Sequence, residues 1–145
     1  MSLLVEKVTG KAGMDIAFKI RTEVFVKEQK VDADAEYDEF EDVSTHFLAS
    51  LNGKPVGTAR WRFTSNGIKL ERFAVLKEAR GKGVGQALVL AVLRDLLVHP
   101  EAQGKTRYLH SQISAVPLYQ KFGFKKVGGQ FEECNILHYK MELKH

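Results

Sequence analysis

Residues 75–97 read VLKEARGKGVGQALVLAVLRDLL. Glycines 81, 83 and 85 stand at the head of an apolar pattern at helical spacing: Val84, Ala87, Leu88, Ala91, Val92 and Leu96. The run directly before them, IKLERFAVL, reads as a strand, and Pro100 lies just beyond the helix end. A strand that turns through glycines into an amphipathic helix confines the chain to folds that layer helices on a sheet.

The same turn limits the chemistry. The first turn of a helix carries unpaired N–H groups and a partial positive charge. Glycines let a bulky anion approach that backbone, and Arg80 can fork onto phosphate oxygens with Lys82 beside it. A pyrophosphate is the natural ligand, although a glycine-rich turn with solvated charges would read the same way. Spacing excludes two familiar phosphate loops. A Walker loop needs Gly-Lys followed by Ser or Thr with another glycine five residues earlier, which neither Gly10-Lys11 nor Gly81-Lys82 satisfies, and G-x-G-x-x-G fails from Gly81 (Gln86 in the last place) and from Gly83 (Leu88).

The remaining elements follow from periodicity. LLVEKVT alternates as a first strand, and Ile16, Ala17, Ile20 and Val24 predict a helix from Asp15 to about Lys27. HFLASLNGKPVGTARWRF predicts two strands across Asn52-Gly53, and Ser65–Gly67 a further turn into IKLERFAVL. These four strands are expected to be antiparallel neighbours. TRYLHSQ predicts a strand. SAVPLYQKFGF predicts a short helix with Ser114 as its cap, Pro117 in its first turn and Gly123 as its left-handed stop. FEECNILHYKMEL predicts one last strand. The order β-α-β-β-β-α-β-α-β describes a single α/β domain over residues 1–145 with a mixed sheet.

Composition narrows the function classes. The net charge of +4 permits a polyanionic partner, but the basic residues are scattered and follow no helix-turn-helix pattern, so nucleic-acid binding is not expected. No apolar run approaches the roughly 20 residues of a membrane helix, and MSLLVEKVTG lacks a signal peptide's features. Cys134 is the sole cysteine, so a cytoplasmic location and a buried or half-buried thiol are expected. The acidic segment VDADAEYDEFEDVS fails the EF-hand pattern, since the sixth position from Asp32 is Tyr37 and the twelfth Val43; no metal is expected. It reads as a solvated surface or as an acidic rim for a cationic acceptor, with Tyr37, Phe40 and Trp61 as wall or core.

Taken whole, Arg80-Gly81-Lys82-Gly83-Val84-Gly85 resembles the R/Q-x-x-G-x-G/A signature of the GNAT N-acetyltransferases. Ala115-Val116-Pro117-Leu118-Tyr119-Gln120-Lys121-Phe122-Gly123-Phe124 resembles that family's later A-x-x-L-Y-x-x-x-G-F. One strand separates the two, as in the family. Val24-Phe25-Val26-Lys27-Glu28-Gln29, the acidic loop, His46 and the near-terminal His138 are similar to the small ElaA/YjcF-like branch. The resemblance implies the GNAT acyl-CoA N-acyltransferase fold, a mostly antiparallel, splayed sheet flanked by helices. It implies acetyl-CoA as co-substrate and a small-molecule or protein amine as acceptor, and it allows a homodimer. A non-catalytic acyl-CoA-binding domain is the alternative.

Residue by residue, the resemblance implies that the backbone of Phe73, Ala74 and Val75 pairs with the pantetheine arm. The N–H groups of Gly81, Lys82, Gly83, Val84, Gly85 and Gln86 would cradle the pyrophosphate, with the Arg80 and Lys82 side chains close by. Gln112 stands where the family often has a cofactor-contacting asparagine. Tyr119 holds the position of the general acid, although packing would use a tyrosine there equally well. Glu71 lies near where some relatives carry a catalytic glutamate. Strict alternation puts it on the face of Phe73 and Val75, opposite Arg72 and Ala74. His138 and His110 are the other candidates for the base.

Overall fold

The computed structural model describes residues 2–144. Strand β1 (Leu3–Lys7) leads into helix α1 (Lys11–Arg21), and the chain continues as a π-helical stretch, Thr22–Glu28. The helix starts a turn earlier than Asp15: Met14 N–H bonds to the Gly10 carbonyl, and Lys11 pairs with Asp15 one turn on. A short helix α2 (Ala33–Glu36) follows, its end capped by Asp32, whose side chain accepts from the Asp34 N–H.

Strands β2 (Thr45–Leu51), β3 (Lys54–Thr64) and β4 (Gly67–Val75) form the expected hairpins. Asn52 and Gly53 both have positive φ, as the tight turn between β2 and β3 requires. Helix α3 (Val84–Leu97) and strand β5 (Arg107–Gln112) follow. Helix α4 spans only Val116–Gln120, with Pro117 in its first turn. Ser114 does not cap it: Ser114 lies inside a 3-10 turn, Ile113–Ala115, and no side chain caps α4. Gly123 takes the left-handed conformation (φ 93°) as expected.

The expected single last strand is a hairpin of two, β6 (Lys125–Glu133) and β7 (Ile136–Leu143). It turns on Cys134 and Asn135, both at positive φ, and Cys134 is exposed rather than buried.

The seven strands form one sheet in the order β1-β2-β3-β4-β5-β7-β6. Among the described residues only β4 and β5 pair in parallel, and the other pairs are antiparallel. Val84, Leu88, Val89, Val92 and Leu96 of α3 share the main core with Phe47, Trp61, Ile68, Leu70 and Leu109. Ile20 and Val24 form a second apolar cluster with Ala74, on the other face of β4.

Two features of β4 shape the cleft beside it. The strand pairs with β5 only through Ile68–Leu70 against Arg107–Leu109, and beyond that the two part. The β3–β4 register also slips between Thr58 and Arg60, where Arg72 sits at φ 59°. This is a bulge, and it shifts the side-chain phase. Ile68 and Leu70 precede it and Phe73 and Val75 follow it, yet all four belong to the α3-side core, while Ala74 faces α1. The alternation expected across this stretch therefore fails. Glu71 shares the α1 face with Arg60 and is turned away from Phe73.

Candidate active site

Where β4 and β5 part, a cleft of about 750 Å³ opens. The glycine turn, the β4 segment Phe73–Val75, Gln112 and Tyr119 all line it, and so do Glu71, His110, Glu133 and His138. Lys82 is exposed and lies outside that lining.

The glycine turn is open. Gly81 and Gly83 adopt positive φ (76° and 83°), and a Cβ added at either would meet no atom within 4 Å. Gly83 caps α3 with no side-chain hydrogen bond. The first intrahelical bond runs from Ala87 N–H to the Gly83 carbonyl, so the N–H groups of residues 81–86 have no partner among the described residues. Unpaired donors at a helix N-terminus facing an unobstructed space suit a diphosphate. The Arg80 fork is turned elsewhere. Its Nη1 and Nη2 donate to Glu28 at 2.6 and 2.7 Å, and its Nε donates to the Val75 carbonyl at 3.1 Å. That pairing holds the Glu28 carboxyl below its ordinary range, a direction that burial slightly opposes.

Hydrogen bonding fixes which β4 groups face the cleft. The Leu76 N–H donates to the Val56 carbonyl at 2.8 Å, and Val75 stands opposite Gly57. Val75 is thus in a non-hydrogen-bonded pair, and its own N–H and C=O point away from β3. Ala74, one residue earlier and opposite Thr58, directs its backbone toward β3. The cofactor strand expected along residues 73–75 cannot draw on the Ala74 main chain, which is already paired.

Tyr119 is almost fully buried, between Phe73 (ring centroids 5.7 Å) and Phe124 (6.1 Å). Burial pushes its phenol pKa well up, so the O–H survives across the neutral range. His138 is buried and lies stacked on Phe131. Its Nδ1 donates to the Ile136 carbonyl at 2.7 Å, which sets the tautomer and leaves Nε2 able to accept a proton. His110 Nδ1 sits 3.0 Å from Glu133 Oε2, and that hydrogen bond depresses the Glu133 carboxyl pKa.

Glu71 is held by cations. Arg60 Nε donates to its Oε2 at 2.9 Å and Arg62 Nε to the same oxygen at 2.7 Å, and Lys69 Nζ stands 3.4 Å from Oε1. Burial alone would raise its pKa, but Arg60, Arg62, Lys69 and Arg72 together lower it. The network extends into the acidic segment. Fully buried Arg60 also binds Asp38 and Glu41, and Arg21, equally buried, binds Glu36 and Glu41. Much of the acidity expected as a rim for a cationic acceptor is therefore neutralised inside the protein. Tyr37, Phe40 and Trp61 do not line the cleft. Trp61 is core, its Nε1 bonded to Asp95. The apolar wall comes instead from Phe25, Val31 and Ile136.

Comparison with known proteins bears on what this cleft is. The model of the acetyltransferase (GNAT) domain matches residues 7–145. The chain belongs to the GNAT acetyltransferase family. It is 40% identical over 126 residues to the uncharacterized N-acetyltransferase YjcF of Bacillus subtilis, covering 86% of this chain and 88% of that protein. Its fold is similar to that of Escherichia coli ElaA (TM-score 0.85, 25% identity, 97% and 99% of the two chains). It also matches a GNAT family acetyltransferase from Elizabethkingia anophelis with acetyl-CoA bound (TM-score 0.72, 15% identity, 99% and 98%), a likeness of fold. In this acetyltransferase no helix among the described residues is long and apolar enough to cross a membrane. No group of three or more His, Cys, Asp or Glu residues placed to hold a metal occurs among them either.

Proposed function

We propose that the protein transfers an acetyl group from acetyl-CoA to a primary amine, of a small molecule or a protein, by direct attack in a ternary complex. The observation that carries this reading is the set of unpartnered N–H groups in the glycine turn, of which Gly81, Gly83, Val84, Gly85 and Gln86 line the same cleft as Tyr119 and His138. Those amides would hold the diphosphate of acetyl-CoA, and the β4 edge from Phe73 to Val75 would border its pantetheine arm. What acetyl-CoA supplies is an acyl thioester, whose C–S bond breaks as the amine's C–N bond forms.

The protein's own groups handle charge and protons. His138 Nε2 accepts the proton that leaves the attacking amine. The Val75 N–H, on the cleft edge, donates to the thioester oxygen as negative charge builds there. Tyr119 O–H passes its proton to the departing sulfur. Glu71 is the weaker candidate for the base, because its carboxylate is stabilised as an anion by the cations around it. We assign it to holding β4 against β3 and the acidic segment.

A panel of primary amines, incubated with acetyl-CoA and followed by thiol release and product mass, tests the reading. Acetylated amine together with free CoA is the expected result. Saturable acetyl-CoA binding with no product from any amine would support a binding domain instead.

A further inference from the structure

The ElaA/YjcF-like run Val24–Gln29 has no part in the chemistry above, yet it ends in the cleft. The chain there is π-helical, with Gln29 N–H reaching back five residues to the Val24 carbonyl at 3.0 Å, and just beyond it Val31 N–H closes a still wider turn onto the Phe25 carbonyl at 2.8 Å. Wide turns of this kind often sit at functional sites. This one sends two adjacent side chains to opposite banks of the opening. Glu28 grips Arg80, just after β4, in a two-pronged pair at 2.6 and 2.7 Å, and the same guanidinium reaches the Val75 carbonyl. Gln29 Oε1 accepts from Gln112 Nε2, at the end of β5, at 2.8 Å, and its amide returns a longer bond of 3.5 Å. β4 and β5 share no pairing beyond Leu70 and Leu109, so these side chains span a gap the backbone leaves open.

We propose that Glu28 and Gln29 form a clamp that sets the width of the cofactor cleft, with Arg80 and Gln112 as its two anchor points. All four are positioning residues. On this account Arg80 is a strut between Glu28 and the β4 edge and not a phosphate ligand. The inference rests on the acetyl-CoA reading of the site. Charge alone argues against the arrangement, because Glu28 brings a carboxylate close to a turn suited to a diphosphate. A strut explains why it stands there.

That conflict gives a test by sign. CoA is titrated calorimetrically into the wild type, Glu28→Gln, Arg80→Gln, their double variant and Gln29→Ala, with thermal melts to establish that each is folded. The clamp predicts that Glu28→Gln weakens CoA binding although it removes a negative charge, by about fivefold, the upper range for a half-exposed ion pair. The double variant binds no more weakly than Arg80→Gln alone. Gln29→Ala weakens binding and speeds amide exchange at residues 22–29 and 110–114 in the free protein. Unchanged or tighter CoA binding by Glu28→Gln overturns the clamp and makes Arg80 a direct phosphate ligand that Glu28 restrains. A wild type that does not bind CoA removes the acetyl-CoA reading itself, and the clamp with it.

Discussion

Phe73 and Tyr119 meet edge to face across the cleft, their ring centroids 5.7 Å apart, one on the strand and the other on the short helix α4. The contact fixes the tyrosine ring by packing alone, so the hydroxyl can be removed without loosening it. Tyr119→Phe keeps the aromatic pair and loses the proton donor. A general acid contributes typically about a hundredfold or more to the rate. Steady-state kinetics should show kcat falling by about that factor, while the Kd for acetyl-CoA stays within about twofold and the melting temperature holds. An unchanged kcat would leave Tyr119 as packing only.

Substitution at the glycine turn separates binding from folding. A Cβ at Gly83 meets nothing in the protein, so Gly83→Val clashes with no neighbour. Its φ of 83° still penalises a branched side chain, by about 1–2 kcal/mol, which should lower the melting temperature by about 5 °C. CoA binding measured by calorimetry should be lost, because the new side chain fills the space in front of the open amides. A folded Gly83→Val protein that bound CoA normally would move the diphosphate away from this turn.

The features legible in the sequence were those encoded locally. Asn52-Gly53 announces its hairpin because both residues must take positive φ, and the glycines at 81 and 83 announce the turn into α3 for the same reason. The β6–β7 hairpin was missed because Cys134 and Asn135 carry that conformation without a glycine, in a run that reads as one strand. The bulge at Arg72 leaves no mark in sequence either, and it alone reversed the expected face of Glu71. The ion network is the plainest non-local case. Asp38 and Glu41 meet Arg60 some twenty residues on, a pairing that only the fold creates. A hint existed in Ala59-Arg60-Trp61-Arg62, where arginines interrupt an otherwise buried strand. The residue types of the site could be read from the motifs, whereas the partners that occupy Arg80, Glu71 and the Ala74 backbone could not.

The network predicts a sensitivity to acid. Burial would raise the Asp38 pKa, but the hydrogen bond and charge of Arg60 outweigh it and hold it at about 2. A folded-state pKa below the ordinary carboxylate value means that the unfolded chain binds more protons in that interval. The stabilisation is complete above about pH 4 and is lost as pH falls toward 2, up to roughly 2 kcal/mol from this residue. Glu41 and Glu71 are shifted the same way, whereas Glu36, raised by burial, opposes them. Urea unfolding across pH 2–6 should show stability rising with pH over the acid limb, with a flatter limb in Asp38→Asn.

Glu71→Gln separates a structural carboxylate from a catalytic one. Removing the anion leaves buried Arg60 short of a partner, and breaking a buried ion pair costs about 3 kcal/mol. Denaturant unfolding should register that loss, while kcat of the folded protein at low temperature falls by less than about threefold, within the range of a small geometric shift. The reverse pattern, intact stability with kcat down by orders of magnitude, would return the base to Glu71.

His138 is the sharper test of the chemistry. Its Nδ1 is committed to the Ile136 carbonyl, so only Nε2 can take a proton from the amine. His138→Ala removes that acceptor and opens a space beside Phe131, against which the imidazole is stacked. As the general base it should contribute about a hundredfold to kcat. A loss of that size is expected, with acetyl-CoA affinity retained because the diphosphate site is built from other residues. Imidazole added at increasing concentration should restore turnover in a saturable way in His138→Ala and not in Tyr119→Phe. Packing loss alone would show as lower stability with no rescue. In that event the proton would have to leave by another route, and the His110–Glu133 pair, at 3.0 Å in the same cleft, would be the next candidate.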